Sequence, residues 1–265
     1  MLKVNNVSKT FNVGTVNENH VLDNVSFTLN EGDFVTVIGG NGAGKSTILN
    51  MIAGVYPIDS GSIEIDGVDI SLFQEHKRAK WIGRVFQDPM VGTAANMEIV
   101  ENLAMANRRG KKRGLKWGVT DGERKTFYQL VKRLDLGLEE RLSDKVGLLS
   151  GGQRQAITLL MATLQQPKVL LLDEHTAALD PKTAKKVLNL TTQIVAEQNL
   201  TTVMITHNMK DALAIGNRLI MMYDGHVIFD VRDEEKAKLT VDDLLDKFDQ
   251  ASNGEFANDR MLLAK

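Results

Sequence analysis

The stretch Gly39-Gly40-Asn41-Gly42-Ala43-Gly44-Lys45-Ser46-Thr47 holds the residue types needed to grip a chain of phosphates. Gly39 to Ser46 satisfies G-x-x-x-x-G-K-[ST], with an apolar strand before it and helical spacing after it, the context in which that pattern carries meaning. The glycines let successive backbone N–H groups converge on phosphate oxygens, and the following helix turns its positive end toward the same anion. Lys45 is placed to reach the β- and γ-phosphates of a nucleoside triphosphate. The Ser46 hydroxyl is a hard oxygen ligand for Mg²⁺, an ion that completes its shell with nucleotide phosphates. A second segment, Val169-Leu170-Leu171-Leu172-Asp173-Glu174, sets two carboxylates at the carboxyl end of an apolar strand, where open α/β sheets form their ligand crevice. Asp173 is expected to hold Mg²⁺, directly or through water, and Glu174 to polarise the water that attacks the γ-phosphate.

Positioning these groups requires a sheet, and the residue pattern supplies one. Residues 2–38 alternate apolar and polar positions, as in Val21 to Leu29, and predict an antiparallel β region followed by a short apolar strand, Asp33 to Ile38. Ile48, Leu49, Ile52 and Ala53 then predict the helix after the glycine-rich loop. Ser62 to Ile65 and Ile82 to Phe86 read as further strands, joined by a polar segment with Lys77, Arg78 and Lys80. From about Asn96 to Leu149 the period becomes helical with charged faces, which predicts a helical subdomain inserted in the sheet domain. Val169 to Leu172, Thr202 to Ile205 and Leu219 to Tyr223 are buried-type strands separated by helix-length segments, as in parallel β-α units. Asp224-Gly225 predicts a hairpin into His226 to Val231, and Val241, Leu244, Leu245 and Phe248 form the apolar side of a last helix.

Composition narrows the classes of function. In 265 residues, 32 Lys and Arg against 34 Asp and Glu give a formal charge of -2, so no global positive field recommends nucleic acid as a partner, and none is expected. The absence of cysteine excludes disulfides, thiolate metal sites and thiol nucleophiles. Met1 to Val7 lacks the charged head and apolar run of a secretory signal. The most apolar runs, Ile157 to Leu164 and Val169 to Leu172, fall short of the roughly 20 residues that span a bilayer. A membrane role therefore requires a partner chain.

Leu149-Ser150-Gly151-Gly152-Gln153-Arg154-Gln155 precedes the Asp173 strand, and with this segment the chain resembles the ABC ATPase family, whose signature is LSGGQ. Ser150 reads as a helix N-cap, and the glycines leave N–H groups exposed at a positive helix end. The resemblance covers nearly the whole chain. It implies an α/β fold: a P-loop NTPase of ABC type with a RecA-like, mostly parallel core, an N-terminal antiparallel β subdomain and an inserted α-helical subdomain. The organisation expected is an ATPase domain over residues 1–240, with the helical insertion at about 96–149, and a C-terminal amphipathic helix and tail over 241–265. It also implies a head-to-tail dimer in which Ser150, Gly151, Gly152 and Gln153 of one subunit cover ATP on the phosphate loop of the other. By the same resemblance Gln87 matches the glutamine loop that senses Mg²⁺ and water, His207 the switch histidine at the γ-phosphate, and Phe11 the aromatic that stacks on adenine. Ala177-Ala178-Leu179-Asp180 resembles the family's D-loop, where SALD follows a Glu-Pro-Thr run. Here His175 follows Glu174 in place of proline, Ala177 cannot donate a hydroxyl hydrogen bond, and Asp180 keeps its place.

The function implied is an ATP-binding, ATP-hydrolysing subunit with ATP and Mg²⁺ as cofactors, held at the cytoplasmic side of the cell membrane by separate membrane-spanning permease chains. A second ATPase subunit and a solute-binding protein complete the expected partners. Asp-Glu-His-Thr-Ala-Ala-Leu-Asp-Pro is similar to a branch associated with amino-acid uptake. Separate ATPase chains also serve exporters and lipoprotein or division machineries, and soluble relatives act on ribosomes or DNA. Those soluble relatives usually carry two cassettes or a very long coiled coil, and this chain has neither. The basic cluster Arg108 to Arg113, interrupted by Gly110 and without interleaved aromatics, reads as a solvated loop, while Met204, Met209, Met221 and Met222 read as core packing.

Overall fold

The computed structural model describes residues 1–111 and 118–251. The chain forms two compact units, one made of Met1–Arg78 with the segment from Asn199 onward, the other of Ala79–Gln198. The first unit opens with β1 (Leu2–Phe11) and β2 (Asn19–Leu29), paired antiparallel with Leu2 opposite Leu29. Leu22, Val25, Phe27 and Leu29 are buried while their neighbours Asp23, Asn24 and Ser26 are exposed, the period-two pattern of a strand with one wet face. Asn6 and Asn24 sit at positive φ where the β1–β2 register shifts, a conformation that Asn tolerates. Next come β3 (Phe34–Ile38), α1 (Lys45–Ala53), β4 (Ser60–Ile65), β5 (Val68–Asp69) and the short α2 (Glu75–Arg78). Strands β2-β1-β4-β5, in that order, form the antiparallel sheet expected at the N-terminus.

The second unit contains β6 (Ile82–Val85), α3 (Ile99–Asn107), α4 (Asp121–Lys132), α5 (Gly151–Thr163), β7 (Val169–Asp173) and α6 (Pro181–Gln198). Strands β6 and β7 are parallel, with Val85 opposite Leu172. Ile99, Leu103, Phe127, Val131, Leu138, Val146, Ile157 and Leu160 bury one helical core. That core continues past Leu149 because Ala156, Ile157 and Leu160 of α5 turn an apolar face into it. Asn102, fully buried, knits the loop ahead of α3: its Oδ1 accepts from Ala94 N, and its Nδ2 donates to the carbonyls of Ala94 and Glu98. Arg108 pairs with Glu123 and Arg109 donates to Ala162 O, so two members of the basic cluster are tied back to this unit. Lys112 and Arg113 lie outside the described residues, as does the tail from residue 252 onward.

The chain returns to the first unit through β8 (Thr201–Ile205), α7 (Met209–Ala214), β9 (Arg218–Tyr223), β10 (His226–Arg232), α8 (Asp233–Ala237) and α9 (Val241–Ala251). Here β10-β9-β3-β8 run side by side, with β3 parallel to both β8 and β9 and only β10 antiparallel. All residues of β3 and β8 are buried, which explains why neither alternates apolar and polar positions: a parallel strand covered on both faces has no wet side, and a threonine within it, such as Thr36, turns its hydroxyl to a carbonyl, here Ala212 O. Met204, Met209, Met221 and Met222 are each 1% exposed or less. Leu244, Leu245 and Phe248 of α9 join Ile38, Met209, Leu219 and Met221 in one cluster, and Phe248 meets Tyr223 edge-on at 5.7 Å.

Candidate functional site

In each unit, two neighbouring parallel strands release their candidate residues at the same edge of their own pair. In the first unit Val37 is opposite Ile205 and Thr206 N donates to Val37 O at 3.2 Å, so the glycine-rich loop and His207 leave the carboxyl ends of neighbouring parallel strands. In the second unit the register of Val85 with Leu172 does the same for Gln87 and the Asp173-Glu174 pair. Such carboxyl ends are where α/β sheets place ligands.

The glycine-rich loop is built around Lys45. Its side chain is 5% exposed, and Nζ donates to the carbonyls of Gly39 and Gly40, each at 2.8 Å. An ammonium held among carbonyl dipoles in a nearly closed loop is an anion-seeking group. Gly44 caps α1 at φ 91°, and a β-carbon there would lie 2.5 Å from Leu22 Cδ2 and 2.9 Å from Val21 O. Only glycine satisfies both the left-handed backbone and the contact, so β2 and the loop pack at backbone distance. Ser46 and Thr47 follow in the first turn of α1, at its positive end. Phe11 lies edge-on to Tyr56, with ring centroids 5.2 Å apart, and the Lys9 ammonium stands 5.5 Å from the Phe11 ring. Tyr56 carried no signal in the sequence beyond its place just after α1; the aromatic pair appears only once β1 is seated.

The signature segment forms a capping box. Ser150 Oγ accepts from Gln153 N at 3.3 Å, and Gln153 Oε1 accepts from Ser150 N at 3.2 Å. Arg154 donates to the carbonyls of Gly147 and Leu149, which fixes the approach to the helix. Gln155 Nε2 donates to Phe86 O at 3.0 Å, so α5 fastens the residue just before Gln87. At the other end of the same helix start, Gly151 faces Leu179 and Gly152 faces Thr183. Asp180 Oδ1 accepts from Thr183 N, and hydrogen bonding to Thr183 holds the Asp180 carboxyl below the usual carboxylate range. The signature and the Ala177 to Asp180 turn are therefore one packed piece. A β-carbon on Gly152 would fall 2.0 Å from Thr183 Cγ2. Gly152→Ala is expected to lower unfolding free energy by about 1–3 kcal/mol through overpacking, and Thr183→Ala in the same chain to restore it. Urea unfolding of the two variants checks this; no change in the single variant would contradict it.

Asp173 closes β7, with Arg84 Nη2 at 3.7 Å from its Oδ2, and Arg84 also covers the Phe86 ring. Glu174 follows at φ 44°, in the left-handed region that a side chain enters at a cost. The Ser46 hydroxyl and the Asp173 carboxylate are the hard oxygen donors that Mg²⁺ prefers, and Lys45 with the α1 amides fits a polyphosphate.

His175 departs from the expected proline and is 2% exposed, with Nε2 3.0 Å from Thr191 Oγ1 on α6. Burial pushes its imidazole down to about 4. As pH falls below about 6.5 the unfolded chain takes up a proton that the folded chain refuses. The stability is thus whole above about 6.5 and drains away toward 4, by about 2 kcal/mol at pH 5. Unfolding midpoints at pH 7 and pH 5 should separate less in His175→Phe than in the parent; equal separations would show that His175 does not set the acid sensitivity.

A strand–glycine loop–helix beside a mostly parallel sheet, with a capped Ser-Gly-Gly-Gln helix, defines a nucleotide-hydrolysing cassette of the phosphate-loop class. The family profile described as ABC transporter matches residues 22–177. The chain is 47% identical to the tyrosine transport ATP-binding protein of Clostridioides difficile, over 95% of this chain and 100% of that one. It is 34% identical to the spermidine/putrescine import ATP-binding protein PotA of Haemophilus ducreyi over 87% of this chain, and spans 57% of that longer relative. A solved dimer of an ATP-binding cassette in a post-hydrolysis state, bound to ADP and Pi, superposes with a TM-score of 0.75 at 31% identity, covering 88% of this chain and 98% of that one. The chain belongs to the ABC transporter family, as its ATP-binding, ATP-hydrolysing subunit. Membrane-spanning permease chains are the partners this class implies, and among the described residues no helix is long and apolar enough to cross a membrane.

Proposed function

We propose that this chain powers an amino-acid importer, with tyrosine or a chemically similar amino acid as the transported species. The observation that carries the reading is the 47% identity, end to end, with a relative named for tyrosine transport. In this reading Gly39 to Thr47 hold the triphosphate, with Lys45 on the β- and γ-phosphates. Ser46, Gln87 and Asp173 serve Mg²⁺, Glu174 polarises the attacking water, and His207 contacts the γ-phosphate. Phe11 stacks on adenine, and Ser150 to Gln153 with Asp180 act across a dimer of two copies of the chain. The subunit lies on the cytoplasmic face of the membrane, held by its permease chains, and a solute-binding protein delivers the substrate.

Transport tests this directly. The tagged chain, purified with whatever integral membrane protein accompanies it and reconstituted in vesicles, is expected to drive ATP-dependent uptake of labelled tyrosine in preference to spermidine. Preference for the polyamine, or recovery of the chain with ribosomes and no membrane partner, would overturn the assignment.

A further inference from the structure

Glu174 occupies a left-handed backbone conformation at φ 44°, and the residue immediately after it is anchored by a side-chain hydrogen bond. His175 is buried, with Nε2 3.0 Å from Thr191 Oγ1 in the middle of α6. Thr191 Oγ1 in turn donates its one proton to Val187 O at 2.8 Å. That donation settles the direction of the first bond: the threonine oxygen has only lone pairs left to offer, so His175 Nε2 carries the hydrogen and donates. The resulting chain runs from imidazole N–H to hydroxyl to helix carbonyl and is enclosed, since Thr191 and Val187 are also buried. Each polar group in it would be costly to leave unmatched.

The anchor ties the carboxylate-bearing turn to a helix that also meets the signature. The first turn of α6 receives the Asp180 carboxylate at Thr183 N and abuts Gly152 through Thr183 Cγ2. The turn from Glu174 to Asp180 is thus pinned to α6 twice, at His175 and at Asp180, with Ala177 N donating to Glu174 O at 2.9 Å between them. A proline after the glutamate would stiffen the turn through its own φ but would have no donor to offer a helix. The exchange of proline for histidine replaces local stiffness with a bond to α6.

We propose that His175 and Thr191 are positioning residues for ATP hydrolysis, holding the Glu174 turn at the angle its carboxylate needs through the Nε2–H to Oγ1 hydrogen bond. The proposal rests on the reading of Glu174 as the water-polarising group. Small displacements of a reacting group cost rate more than binding, so the bond should register in kcat and little in KM.

Steady-state phosphate release by the full-length chain with Mg²⁺ and ATP tests it. Thr191→Val keeps shape and removes the hydroxyl; it is expected to lower kcat roughly tenfold with KM for ATP nearly unchanged. Thr191→Ser, which restores the hydroxyl, should recover most of the rate. His175→Phe combined with Thr191→Val should be no slower than the slower single variant, because both remove one bond. Thr191→Val placed in a Glu174→Gln chain should leave the residual rate unaltered, since the group being positioned is gone. Full activity in Thr191→Val, equal loss in Thr191→Ser, or a further loss in the Glu174→Gln background would overturn the proposal. Unchanged turnover in Glu174→Gln alone would instead reject the reading of Glu174, so the two failures are distinct. His175→Gln offers a second donor if His175→Phe does not fold.

Discussion

Lys45→Ala is expected to lower ATP turnover by roughly a hundred- to a thousandfold, the size of effect seen when a preorganised charge aimed at a reacting group is deleted. The structure says why no neighbour can substitute. The ammonium sits 2.8 Å from each of two loop carbonyls, 5% exposed, in a slot shaped by Gly44 against β2. Those carbonyls hold the cation in the loop, where a polyphosphate bound at the start of α1 would meet it. Lys45→Arg should not rescue, because the planar five-donor fork does not fit where a compact ammonium is enclosed. Nucleotide affinity and phosphate release in both variants, with an unfolding midpoint as control, check the expectation. A variant of native stability that still turns over ATP at the parent rate would mean that the loop grips its ligand by backbone amides alone.

The parts of this arrangement that could be read from residue order are those whose physics is local. Gly39 to Ser46 announces its turn because glycine spacing, a lysine and a flanking apolar strand lie within a dozen positions. Ser150 announces a helix start for the same reason, and the reciprocal bond from Gln153 completes a box whose two members are three residues apart. The strands β3, β7 and β8 were legible as short, mostly apolar runs without helical spacing.

What could not be read depends on chain segments far apart in sequence. Arg78 stands in the run Glu75-His76-Lys77-Arg78 and looks solvated, yet it is 1% exposed. Its guanidinium donates to the carbonyls of Met51 and Ile52 at the end of α1, and to those of Ser71 and Phe73. A cation at a helix C-terminus is a familiar pairing, but nothing near Arg78 in the sequence names the helix it will cap. Tyr56 beside Phe11 has the same character. His175 is the sharpest case: the sequence showed a departure from proline, and only the helix sixteen residues on supplies the hydroxyl that gives the departure a purpose. Buried polar side chains in this fold find their partners through packing, and packing is long-range.

The second large effect is expected from Glu174→Gln, and it differs in kind from the first. Glutamine keeps the size of the side chain and tolerates the φ 44° backbone about as well as glutamate, so the turn from Asp173 to Asp180 should survive. What disappears is the ability to accept a proton from water, a loss worth roughly a hundred- to ten-thousandfold in the chemical step. Lys45 and the α1 amides are untouched, so Mg²⁺-ATP should bind with parent affinity. If the Ser150 to Gln153 segment closes over a partner's nucleotide, a chain that binds but cannot hydrolyse should accumulate as an ATP-bound dimer, visible by light scattering and dispersed by washing out nucleotide. Lys45→Ala should show neither the binding nor the dimer. The pair of variants therefore separates gripping from cutting: binding with slow turnover in Glu174→Gln assigns the carboxylate to water activation. Loss of both would make Glu174 a structural residue of the turn, and retention of both would move the proton acceptor elsewhere.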